Sequence, residues 1–244
     1  MLLLLLHPAL AADPVVAPQP SRNNPLALPK GFAPEQLELM RPAYPRAHFV
    51  SGPLSGEVYM LPNLEMWDGE VTKMRLNFLV PKGTRDVARG KKVTGSDPTP
   101  EGDYAQFTDG IAVGNDTSAV QLDPGTQWIQ VDLGERCHVW KVLLWRHYLP
   151  RVVCHDLIVQ VSDDATFTKG VTTIFNNDHD NSSGLGVGQD VAYMETNHGR
   201  LIDGCEAEAA GRYVRFYGRG SSNDLWNQFV EVSIYGTPAP PPSR

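Results

Sequence analysis

Along residues 127 to 134 the chain reads Gln127-Trp128-Ile129-Gln130-Val131-Asp132-Leu133-Gly134, an alternation that puts Ile129, Val131 and Leu133 on one face and Trp128, Gln130 and Asp132 on the other. That period predicts a half-buried strand ending where Gly134 lets the chain turn. The same alternation returns in Tyr213-Val214-Arg215-Phe216-Tyr217 and in Phe229-Val230-Glu231-Val232-Ser233-Ile234-Tyr235-Gly236. Further strands are predicted over Val139 to Trp145, Leu157 to Ser162 and Val171 to Phe175. Repeated short strands without a helical period predict an all-β fold, an antiparallel β-sandwich.

Outside these strands the pattern changes. Residues 13–47 carry Pro14, Pro18, Pro20, Pro25, Pro29, Pro34, Pro42 and Pro45, which reads as a linker or extended arm with at most a turn of helix over Pro34 to Met40. Residues 48–85 are more apolar. Val58 to Leu61 and Met74 to Val80 read there as two strands of a small hairpin extension. Between Asn176 and Ala210 lies a polar insert rich in turn formers, and residues 237–244 form a proline-rich tail. The first twelve residues, Met1 to Ala12, are an apolar run ending in Ala9-Leu10-Ala11, which reads as a signal peptide; the run is shorter than the roughly 20 residues a membrane span needs.

The W-x-Q-V-D-L-G strand, the Val159-Gln160-Val161-Ser162-Asp163-Asp164 strand end, Gly211-Arg212-Tyr213-Val214-Arg215 and the closing Glu231-Val232-Ser233-Ile234-Tyr235-Gly236 occur in that order. Together they resemble the discoidin family, the coagulation factor 5/8 C-terminal domain with its galactose-binding-like carbohydrate-binding modules. The resemblance covers residues 86–236 and implies a jelly-roll sandwich preceded by the proline-rich N-terminal arm. It also implies a ligand held by loops at one end. Arg146-His147-Tyr148-Leu149-Pro150-Arg151 follows a strand, and Ser221-Ser222-Asn223-Asp224-Leu225-Trp226-Asn227 precedes one. From these loops Tyr148 or Trp226 would stack on a sugar ring, while Arg146, His147, Arg151 and Asn223 would reach its hydroxyls. An aromatic beside a strand equally suits packing at a core edge.

The family commonly holds calcium beneath a loop after an Asp-Gly, closed by a Glu of the last strand. Thr108-Asp109-Gly110 and Glu231 match, so the resemblance implies Asp109 and Glu231 as ligands. The loop departs from the family's pattern, running Ile111-Ala112-Val113-Gly114-Asn115-Asp116-Thr117 with no Trp close behind, and Asp109 equally suits a turn cap. Asp178-His179-Asp180-Asn181 does not follow calcium-loop spacing, because Ser183 and Gln189 stand where Gly and Glu are required; it reads as a solvated Asx-turn loop. Asn181-Ser182-Ser183 and Asn115-Asp116-Thr117 match the glycosylation sequon.

The formal charge of −7 over 244 residues argues against a nucleic-acid partner, which would want a basic stripe. Cys137, Cys154 and Cys205 allow at most one disulfide within the chain and form no C-x-x-C pair; buried small hydrophobes account for them as well. No G-x-S-x-G elbow, H-E-x-x-H or P-loop is present, so no enzyme is expected. The expectation is a secreted, periplasmic or cell-surface module without catalytic activity that binds a glycan or glycan-bearing surface. The alternative is an adaptor docking a partner protein in an extracytoplasmic complex, with the proline-rich ends as tethers.

Overall fold

The structure is a computed structural model and describes residues 23–43, 77–113, 118–148 and 152–241. The expected signal peptide, the strand at 58–61, the 115–117 sequon and Arg151 lie outside the described residues. What is described is antiparallel β throughout: β1 Leu37–Met40, β2 Phe78–Pro81, β3 Arg85–Asp86, β4 Lys92–Gly95, β5 Val120–Leu122, β6 Gln127–Arg146, β7 Ile158–Ser162, β8 Thr172–Asn176, β9 Arg200–Asp203, β10 Ala210–Gly218 and β11 Asn227–Pro238. The only helical pieces among the described residues are 3-10 turns, at Pro34–Gln36 and Tyr104–Thr108.

β6 serves both layers. Its first half pairs with β4 and β10, with Val131 opposite Val93 and Val214; its second half pairs with β11 and β9, with Leu144 opposite Val232 and Arg200. The change of layer comes where Gly134 adopts φ 84°, a left-handed conformation that glycine enters without a Cβ clash, and its N–H is capped by Asp132 Oδ1 at 2.8 Å. β7 and β8 extend the front layer beyond β10, and β3 and β5 flank β11 in the back layer. The strand expected to end at Gly134 instead runs on through it and merges with the one expected over 139–145, so Gly134 bends a single strand at the corner of the sandwich.

The alternation read from sequence is the interior. Ile129, Val131 and Leu133 meet Val142, Leu144, Val159, Val161, Val214, Phe216, Val232 and Ile234 in one core between the layers. Phe107, from the Tyr104–Thr108 turn, plugs that core edge-on against Phe216 at 5.3 Å and Phe229 at 5.7 Å. Burying each such side chain contributes about 1.5–3 kcal/mol against exposure, which is why period-two segments hold their register.

A second apolar cluster lies on the outer face of the back layer, built from Leu143, Trp145, Trp140, Leu201, Val230 and Tyr235 and covered by Phe78, Val80 and Phe32. Residues 23–43, within the stretch read as a linker or extended arm, are thus docked on the sandwich. Asn23 is the main anchor. Its amide Nδ2 donates to Ile174 O at 2.8 Å and Asp203 O at 3.0 Å, its Oδ1 accepts from Asp203 N at 2.9 Å, and its backbone N–H donates to Asp190 at 2.9 Å. The fully buried Lys141 donates to Ala27 O at 2.7 Å and to Asp203 at 2.5 Å, so the arm roofs an ion pair. β2 pairs with β1 in the register Leu39 to Leu79 and Glu38 to Val80, while the hairpin partner expected at 58–61 lies outside the described residues. The expected polar insert at 176–210 carries β9 and a buried stretch, Ala192 to Glu195. Its apolar residues are too few and too scattered to show a period in the sequence.

Candidate functional site

Three segments meet at the end of the sandwich where β6 finishes. Residues 152–155 follow β6, 192–195 precede β9, and 219–226 join β10 to β11. Backbone bonds lace them. Glu195 N donates to Val152 O at 2.8 Å, Ser222 N to Val153 O at 2.8 Å, His155 N to Gly220 O at 2.9 Å and Arg219 N to His155 O at 3.1 Å. Val153 pairs with Met194 and Cys154 with Ser221 as isolated antiparallel bridges, and Ser222 Oγ accepts from Val153 N at 3.1 Å. The last loop is closed on itself by Ser221 N donating to Asp224 O at 2.8 Å and Trp226 N to Asp224 Oδ1 at 3.0 Å. Asn227, fully buried, ties it to the next loop by donating to Asp123 O and Gly125 O at 2.9 and 3.0 Å.

The residues expected to bind ligand divide into two groups on this rim. Trp226 is 42% exposed and Asn223 is exposed at the loop tip, with Leu225 between them exposed as well. Arg146, His147 and Tyr148 are buried, at 1%, 6% and 4% exposure. Tyr148 belongs to the outer apolar cluster and donates its hydroxyl to Ala112 O at 3.4 Å, so its ring faces are occupied by protein and it offers no stacking platform. Arg146 donates Nε to Gln228 O at 3.1 Å and lays its guanidinium over Phe229 at 4.4 Å from the ring centre. Gly218 leaves room for that guanidinium, since a Cβ there would stand 2.8 Å from it. Both side chains act as supports under the rim. The sequence placed them in segments that reach this rim; only packing decides which side chain points outward.

Sequence reasoning missed the buried polar group beneath the rim. Glu195 is 1% exposed, and its carboxylate lies among Arg146, Tyr193, Cys154 and Arg200 with neither oxygen in a hydrogen bond of normal geometry. Burial pushes its carboxyl up to about 7, against the lowering effect of Arg146. The same burial raises the Cys154 thiol far above its usual range, and Tyr193 likewise, so Cys154 is an inert thiol. All three cysteines are buried and free. The only signal in the sequence was a Glu between two apolar residues and a run of polar ones.

The expected metal residues come together nearby. Glu231 is 2% exposed and accepts from Gly110 N at 2.8 Å through one carboxylate oxygen, while the other has no hydrogen-bond partner among the described residues. Burial pushes Glu231 up to about 8, Asp109 adds to the rise, and Arg89 opposes it. Asp109 accepts from Ile111 N at 2.8 Å, the turn-cap geometry also foreseen. Two neighbouring carboxylates, one with an unsatisfied buried oxygen, suit a hard oxygen-seeking cation such as calcium. Separately, Asp156, Asp178 and Asp180 bring their carboxylates within 4.8 Å of one another. Asp178 accepts there from Ser182 N and from Ser183 N and Oγ, and Asp180 accepts from Ser182 N at 2.9 Å in the expected Asx turn.

No helix among the described residues is long and apolar enough to cross a membrane. No protein-family model matches the chain, and no curated protein matches it. Among solved structures, the chain is similar to a chitosan-binding module of a chitosanase/glucanase from Paenibacillus sp. IK-5, at 22% identity over 62% of this chain and 99% of that one, with a TM-score of 0.39. A fucose-binding module of Streptococcus pneumoniae is similar at 17% identity over 62% and 97%, with a TM-score of 0.44. A fucolectin from striped bass serum, Morone saxatilis, is similar at 16% identity over 65% and 50%, with a TM-score of 0.42.

Proposed function

We propose that this chain is a non-catalytic glycan-binding module acting outside the cytoplasm, with its recognition surface on the rim formed by residues 219–226 and the end of β6. The observation that carries this reading is Trp226. Trp226 is 42% exposed on a loop locked by Asp224, beside the exposed Asn223, whose amide nitrogen donates to Asp224 Oδ2 at 3.1 Å. An exposed planar ring on a rigid loop suits the apolar face of a pyranose, and the neighbouring amide suits its rim of hydroxyls. Arg146 and Tyr148 hold that loop and its neighbour from below; Arg151 is the remaining candidate for hydroxyl contact. A shallow site of this kind binds one sugar weakly and gains strength through multivalent display.

Calcium held by Asp109 and Glu231 is the second part of the proposal. The ion would neutralise two adjacent carboxylates and brace the loop whose Ala112 carbonyl accepts from Tyr148. A glycan array tests the reading. Retention of the wild-type chain should fall roughly 30-fold in Trp226→Ala, about 2 kcal/mol, with the melting temperature unchanged. The adaptor reading draws support from Leu225, which is 72% exposed beside Trp226 and suits an apolar protein surface better than a sugar. Absence of retention on every glycan, with Leu225→Ser and Trp226→Ala both abolishing capture of a partner protein, would favour it.

A further inference from the structure

The buried group under the rim has no part in contacting a ligand, yet it sits where all three rim segments cross. Glu195 supplies the backbone N–H that binds Val152, and its neighbour Met194 bridges Val153, while its carboxylate faces the guanidinium of Arg146 at the end of β6. Arg146 in turn reaches Gln228 on β11 and fills the space left by Gly218 on β10. Glu195 is therefore tied by its backbone to the segment after β6, and its carboxylate acts on Arg146, which reaches β10 and β11. We propose that Glu195 is a positioning residue for the rim, and that gain or loss of its proton decides how tightly the three segments are laced. This rests on the rim being the ligand surface and names how that surface is regulated.

The direction follows from the surroundings. An ionised carboxylate at 1% exposure has lost its water, whereas the neutral acid loses far less on burial. The groups that face it are Arg146 from β6, Cys154 from the following segment, Tyr193 from its own segment and Arg200 from β9; Asp224, from the 219–226 loop, acts on Cys154. Burial opposes the charged form and is the largest influence, while Arg146, hydrogen bonding from Tyr193 and Cys154, and Arg200 favour it, which leaves the acid up at about 7. In an opened rim the carboxylate would be hydrated and ordinary, near 4.5. The closed rim therefore binds the proton more tightly than the open one. Closure is fully favoured below about 4.5 and weakens as pH rises through about 7.

Hydrogen exchange on the full chain tests this without a ligand. Normalised to intrinsic rates, protection of the amides of Val153, His155, Glu195, Arg219 and Ser222 should fall about tenfold between pH 6 and pH 8.5 in the wild type. Glu195→Gln, neutral at every pH, should keep the low-pH protection throughout, and Glu195→Asp should retain the pH dependence. The opposite rim, at 134–137 and 203–209, should not respond. His147 and His155 are unchanged in both variants, so a difference between wild type and Glu195→Gln reports the carboxyl group alone. Identical pH profiles in wild type and Glu195→Gln, or equal loosening of both rims, would overturn the proposal. Retention on the glycan array at the same two pH values separates it from the functional reading. Retention that falls with pH in wild type but not in Glu195→Gln supports both. Retention with unchanged pH dependence in the variant sinks the positioning role alone, and no retention with the expected exchange profile sinks the glycan reading alone.

Discussion

The two halves of β6 belong to one continuous strand and meet different surroundings. From Gln127 to Leu133 one face is core and the other carries Trp128, Gln130 and Asp132 toward the outside. There Arg215 of β10 lies between the rings of Trp128 and Phe167, at 4.1 and 4.2 Å, and donates to Gln130 at 2.8 Å and to Ala165 O at 2.9 Å. From Val139 to Arg146 both faces are buried, because residues 23–43 and β2 cover the side that would otherwise meet water. The sequence mirrors this contrast. The first half alternates; the second, Val139-Trp140-Lys141-Val142-Leu143-Leu144-Trp145, is nearly continuous apolar, as strands buried on both faces are. The lone Lys141 in that run is tolerated because Asp203 and the arm's Ala27 carbonyl receive its ammonium.

Breaking the roofed half should have the largest effect. Asp203→Ala leaves Lys141 buried without its counter-charge and should cost about 3–5 kcal/mol, measured by urea denaturation. A double change, Lys141→Met with Asp203→Leu, should recover most of that loss, because the arm then covers apolar groups. If Asp203→Ala costs less than 1 kcal/mol, the arm does not seal that face.

The next effect lies at the upper end of the same face, where the 109–113 loop takes over from the arm. Glu231 is held up to about 8 in the folded chain, against about 4.5 unfolded, so the folded state keeps a proton that the unfolded state releases. Stability from this group is fully present below about 4.5 and is lost as pH rises through about 8, at up to ~1.4 kcal/mol per pH unit. Metal-free protein should therefore melt at a lower temperature at pH 8 than at pH 5, Glu231→Gln should flatten that slope, and added calcium should restore the wild type at pH 8 while leaving the variant unchanged. The smallest effect belongs to the open half. Arg215→Ala removes the ring contacts with Trp128, Phe167 and Tyr217 and the hydrogen bonds to Gln130, Tyr217 and Ala165, and should cost about 1–2 kcal/mol in the same denaturation series.

The candidate site was legible to the level of the loop. The sequence identified both rim loops, because each adjoins a strand of unmistakable period, and it joined Asp109 to Glu231 through the family resemblance. It did not separate Trp226, which stands out of the loop, from Tyr148, whose ring packs under Ala112. Both are single aromatics beside a strand end, and local pattern carries no information on which way such a ring turns. Glu195 was invisible for a related reason. Its neighbours Arg146, Cys154 and Arg200 come from separate segments, and no spacing along the chain announces their convergence.

By itself the sequence determined the all-β architecture, the strands over 128–133, 139–145, 157–162, 171–175, 213–217 and 229–235, and the residues of the inner core, since a period of two residues can bury one face in only one register. Tertiary structure alone decided that residues 23–43 dock as a roof, that β1 takes β2 as its partner, that Lys141 meets Asp203, and that Glu195 is sealed beneath the rim. Each of these joins residues far apart in the chain. Whether such groups are buried depends on what covers them, and a prolyl arm has no hydrophobic period to reveal the face it will cover.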